Sequence, residues 1–143
     1  MLQPMAEIVR WLLVLVLVIS GAAKLLDRSG SVRSLPGFGV PDRAAVFLPV
    51  LLPAAEILLA AALLTKYALQ PGAWLVLVLF AGFTSAVAIN LFRGRRPTCH
   101  CFSQLSAGPI GPGTLVRNVI LLLLAVLLVL SSQYDYWLFP CVP

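Results

Sequence analysis

Two thiols separated by a single residue, Cys99-His100-Cys101, are the residues of this chain best suited to chemistry. They lie in a short polar connection, Arg93 to Thr114, between two long apolar runs. Such a pair can cycle with a disulfide, bind a soft metal, or remain as two free thiols. A Cys99–Cys101 disulfide would enclose one residue, and strain in so tight a ring makes it easier to reduce than a structural bridge, which suits exchange. Arg95, Arg96 and His100 nearby, with Arg117 further along, favour the nucleophilic thiolate. In the metal reading, Cys99, His100 and Cys101 offer ligands for Cu(I) or Zn(II), and a closed tetrahedral site needs a fourth from elsewhere.

The third cysteine, Cys141, lies in the tail Leu138 to Pro143. If four segments span the membrane it falls on the opposite face, about 30 Å away. A disulfide needs Cα atoms within about 7 Å, so Cys141 reads as an isolated thiol or one that meets another protein.

The elements that must position these residues are lipid-soluble. Of 143 residues, 61% are hydrophobic and 10% charged, which excludes an ordinary soluble domain. Four apolar segments reach the roughly 20 residues needed to cross hydrocarbon. They run from about Ile8 to Leu26, Ala44 to Leu64, Gly72 to Phe92, and Leu115 to Leu130 with its end extending to Ser132. The fold class expected is an all-α integral membrane protein, a single domain over 1–143 with four transmembrane helices in one bundle. Arg10, the apolar Trp11–Ile19 and the small Ser20 to Ala23 imitate a secretory signal peptide, but Lys24 and further apolar residues follow directly. A retained first helix is the better reading. Tyr134, Tyr136 and Trp137 read as an interfacial anchor, and neither long loop shows a helical period of its own.

The net charge of +5 does not point to nucleic acid, because the basic residues cluster beside apolar runs. With four spans, Arg10 and Lys66 share one face. Lys24, Arg28, Arg33, Arg43, Arg93, Arg95, Arg96 and Arg117 share the other. That imbalance puts the first and third loops, and so the thiols, in the cytoplasm.

A second set of residues resists the bilayer. Glu56 falls inside an apolar segment, where a carboxylate costs about 3 kcal/mol on insertion scales unless neutral, paired or wet. Lys24 can reach inward toward Glu56 or snorkel to the headgroups. Asn90, Arg117 and Asn118 belong to the same half, so Lys24, Glu56, Asn90 and Asn118 form a candidate polar pocket toward the thiol-bearing end. The row Gly82, Ala86, Asn90 at four-residue spacing reads as a face for close helix packing. The plainer reading is a packing ion pair with Arg117 as a headgroup anchor.

Ser20-Gly21-Ala22-Ala23-Lys24-Leu25 and the Pro53 and Glu56 of the second span resemble the DoxX-like superfamily of four-helix membrane proteins. More closely, Asn90 to Phe102, with its Arg-Gly and Cys-x-Cys-Phe elements, resembles the methylamine utilisation protein MauE family. So do Leu105-Ser106 and Thr114-Leu115-Val116-Arg117-Asn118. Ser103 stands where that family often has glycine. The resemblance implies a bacterial inner-membrane, multi-pass protein that assists maturation of the disulfide-rich small subunit of methylamine dehydrogenase. It also implies a thioredoxin-like or disulfide-containing partner, with Cys99 and Cys101 as the redox pair.

A helper of an exported protein should show its thiols outside, whereas the charge count puts them inside. Either the loop dips into the bundle, or the arginines are functional and the count misleads. Two other functions fit the residues: a non-enzymatic assembly factor holding a partner in the membrane, and a small-molecule or quinone carrier using the Lys24/Glu56 pocket. The sequence names no cofactor. It lacks a phosphate-binding glycine loop, a paired-His metal motif and a serine nucleophile elbow, which sets aside nucleotide-driven transport and hydrolysis.

Overall fold

A computed structural model describes residues 2–65, 67–96, 98–99 and 108–138. In chain order the elements are α1 (Leu2–Leu26), α2 (Arg28–Ser34), a 3-10 turn (Leu35–Phe38), α3 (Asp42–Leu64), α4 (Leu69–Phe92), β1 (Thr98–Cys99), β2 (Gly108–Pro109) and α5 (Pro112–Leu138). Four helical stretches are long and apolar enough to cross a membrane: Pro4–Leu26, Asp42–Leu64, Leu69–Phe92 and Pro112–Gln133. The protein is an all-α, four-helix membrane bundle, as its apolar runs predict. The helices begin a few residues earlier than those runs because their first turns include polar residues and prolines, such as Gln3, Asp42, Gln70 and Pro112, that lie outside the apolar stretch.

The long helices form a closed ring, α1 against α3, α3 against α4, α4 against α5 and α5 back against α1. Heptad-like spacing selects the inward faces. In α3, Ala45, Pro49, Pro53, Glu56, Ala60 and Leu63 are buried at steps of three and four residues. The core is filled by side chains such as Leu13, Leu17, Leu63, Val76, Phe80 and Leu128. Leu15, Leu51, Leu75 and Leu123 remain exposed, as lipid-facing positions should.

Two contacts fix how α1 lies along α3. Arg10 donates from Nη1 to Glu7 at 3.0 Å and from Nη2 to the Leu64 carbonyl at 3.3 Å, placing a cation on the last turn of α3. One end of α1 is thus level with Leu64. Further along, Gly21 packs against Pro53–Ile57, where an added Cβ would lie 3.0 Å from Ile57 Cγ1 and 3.2 Å from the Pro53 carbonyl oxygen. An added methyl would crowd both, and glycine lets the two helices approach closely here. Pro49 and Pro53 each remove an amide donor from α3, which a bundle tolerates where neighbouring helices cover the freed carbonyls.

The first loop is more ordered than its sequence period suggests. Asp27 caps α2 through its side chain, which accepts from Gly30 N at 3.1 Å. The 3-10 turn that follows brings Phe38 against the Val87 and Ile110 cluster, on which Leu115 also packs. First and third loops therefore meet at one end of the bundle. The Gly82 row also differs from its sequence reading: Gly82 is exposed, with nothing within 4 Å of an added Cβ, whereas Asn90 is buried. Among the described glycines, Gly21 and Gly72 lie at contacts between long helices; a Cβ added at Gly72 would lie 3.3 Å from Ala62 Cβ.

Candidate functional site

Among the described residues, the buried charges of the bundle interior are Lys24 and Glu56, on adjacent helices. Lys24, in the last turn of α1, donates from Nζ to Glu56 Oε1 of α3. Glu56 is 1% exposed and Lys24 9%. The lysine stem reaches inward along the bundle rather than out to the headgroups. Its ammonium also sits 4.6 Å from the centre of the Phe83 ring of α4, within cation–π range. Three helices thus converge on one cation, and the close approach at Gly21 brings α1 near enough to α3 for the pair to form.

Desolvating two charges costs several kcal/mol per ion, so the pair persists only if geometry and further polar contacts offset that cost. A small cavity of about 20 Å³ adjoins it, lined on its polar side by Ser20, Lys24, Glu56 and Asn118 and on its apolar side by Phe80, Phe83 and Leu121. That volume suits a single water-sized group.

The structure brings Lys24, Glu56 and Asn118 together. Asn90 is buried near the end of α4 but turns back on its own helix, donating from Nδ2 to the Ala86 carbonyl at 2.8 Å, and it does not line the cavity. Arg117 is half-buried one residue before Asn118. Arg95 and Arg96 are exposed beyond the end of α4. Phe83 and Ser20 complete the site. Phe83 is missing from the polar residues picked out in the sequence because an aromatic in an apolar run gives no signal of its own. Ser20 stands in the sequence only within the small-residue stretch before Lys24, where its type gives no sign that it lines a polar cavity.

The thiol-bearing segment starts from a defined turn. Gly94 (φ 70°) ends α4, with Arg95 N donating to the Asn90 carbonyl at 2.9 Å and Gly94 N to that of Leu91 at 3.1 Å. This is the left-handed glycine stop expected at a helix C-terminus. The chain then forms an antiparallel pair in which Cys99 faces Gly108 and Thr98 faces Pro109. Ile110, 1% exposed, anchors the returning strand against Val87, and Pro112 opens α5. The backbone at Cys99 is thereby held over the end of the bundle where the first and third loops meet. His100, Cys101, Cys141 and Lys66 lie outside the described residues. Among the described residues no cluster of three or more His, Cys, Asp or Glu is placed to hold a metal.

The family model for methylamine utilisation protein MauE matches residues 2–131. The chain belongs to the MauE family. The MauE match takes in the Lys24–Glu56 pair, the Gly94 turn, the Cys-x-Cys segment and Asn118, and it stops short of Cys141. No curated protein and no solved structure gives a match. Family and architecture together make this MauE-type chain a multi-pass membrane protein.

Proposed function

We propose that this protein is a bacterial inner-membrane thiol–disulfide exchange protein that supports maturation of a disulfide-containing partner, with Cys99 and Cys101 as its redox pair. The observation that carries the reading is the anchoring of the thiol-bearing segment. The pairing of Cys99 with Gly108 and the buried Ile110 fix one end of the Cys-x-Cys element to a rigid bundle. A presented thiol pair needs such a base, whereas two incidental thiols in a surface loop do not. Membership of the MauE family supports the same reading, since that family is named for methylamine utilisation.

In the proposed step one thiolate attacks a sulfur of the partner disulfide. The new S–S bond is a mixed disulfide, and the partner's other sulfur leaves as thiolate. The second cysteine then attacks the mixed disulfide, closing Cys99–Cys101 and releasing the reduced partner. Two electrons pass from the pair to the partner, and a thioredoxin-like protein running the same exchange returns them. Arg95, Arg96 and Arg117 favour thiolate. Asn90 lies near the end of α4 and Asn118 near the start of α5, the two helices that the loop connects, while Lys24 and Glu56 tie α1 to α3 beside them.

Single Cys99→Ser and Cys101→Ser variants, expressed with the cell's own partners, test this directly. One of them accumulates a reductant-sensitive covalent adduct that the wild type turns over, and both lose partner maturation while inserting normally. Full maturation in both variants, with no adduct in either, overturns the mechanism and favours an assembly factor whose helix faces do the work.

A further inference from the structure

Among the described residues, two buried polar atoms beside the ion pair have no hydrogen-bond partner. Glu56 uses Oε1 on Lys24, while Oε2 has no hydrogen-bond partner among the described residues, and neither does Asn118 Nδ2. Both residues are more than nine-tenths buried, and both line the same cavity of about 20 Å³. A cavity above about 10–15 Å³ holds one water, provided two or more polar groups face it. Here a carboxylate oxygen asks for a donor and an amide nitrogen asks for an acceptor. A simple cation is disfavoured by the Lys24 ammonium, a simple anion by the Glu56 carboxylate, and an apolar guest satisfies neither atom.

We propose that this cavity is a binding site for one water molecule, which donates to Glu56 Oε2 and accepts from Asn118 Nδ2. The ion pair is then a hydrated triad spanning α1, α3 and α5 rather than a dry salt bridge. Asn118 serves as the residue that holds the water, a role distinct from that of Asn90, whose Nδ2 already donates to its own helix. The site involves neither loop cysteine, so it stands or falls separately from the exchange function.

The sequence supplies its own control, because its asparagines are Asn90 and Asn118. In the full chain labelled with side-chain ¹⁵N-asparagine and reconstituted in lipid bilayers, solid-state NMR reads magnetisation transfer from water to each amide. The Asn118→Gln variant assigns the two signals. The expected result is transfer to Asn118 several-fold faster than to Asn90. Equally slow transfer to both shows a dry pair and overturns the proposal. Equally fast transfer to both also overturns it, since general water entry and not a single bound molecule would then be responsible.

Discussion

Lys24 and Glu56, 32 residues apart in sequence, meet as a hydrogen-bonded ion pair inside the bundle, with the Glu56 carboxylate almost wholly removed from solvent. The pair joins the loop-side end of α1 to the middle of α3. It lies beside Asn118, which enters α5 from the thiol-bearing loop.

Removing one partner strands a buried charge. Lys24→Met and Glu56→Met are each expected to destabilise the protein by about 3–5 kcal/mol, whereas the double Lys24→Met/Glu56→Met change recovers most of that loss. Denaturant unfolding in mixed micelles measures it. Additive losses in the double variant would show that the two charges do not depend on each other.

Glycine positions separate close packing from open lipid-facing surface. Gly21→Ala places a methyl against the Pro53 carbonyl and Ile57, and is expected to cost about 1–3 kcal/mol. Gly82→Ala meets nothing within 4 Å and is expected to be neutral, or stabilising by up to about 1 kcal/mol through helix propensity. Thermal unfolding of the two variants side by side gives the comparison.

The Gly94 turn sets the departure of the thiol loop. With φ at 70°, Gly94→Ala is expected to cost about 1–2 kcal/mol, while Gly94→Asn, which tolerates left-handed backbone, costs less. If the turn positions the thiols, Gly94→Ala also alters the rate of maleimide reaction at Cys99 in the folded, membrane-inserted protein. An unchanged rate would separate the turn from the thiols.

The four spans were legible because a bilayer demands length and apolarity, and both are written in composition. Glu56 was legible as a misfit for the same reason. The direction of the Lys24 side chain was not, since a lysine near a helix end has equal reach inward and outward, and only the α1–α3 approach at Gly21 decides it. The Gly82 row misled because small residues at four-residue spacing mark a face without saying whether a helix or lipid covers it. Helix α2 escaped notice because seven residues carry too little period, although Asp27 and Gly30 already held its cap. Asn90 and Asn118 are alike in sequence; their difference arises from the local bond of Asn90 to Ala86, which depends on side-chain direction and leaves no trace in residue type.

The most direct measurement is a redox titration of Cys99 and Cys101 in a Cys141→Ser background. Membrane-impermeant maleimide is applied to intact cells and inverted vesicles across a range of thiol–disulfide buffer ratios. A reversible exchange pair gives one two-electron transition in which both thiols become labelled together, on one side of the membrane, and the transition vanishes in either single serine variant. Two thiols that label independently at every buffer ratio, with no shared transition, would contradict a redox role for the pair.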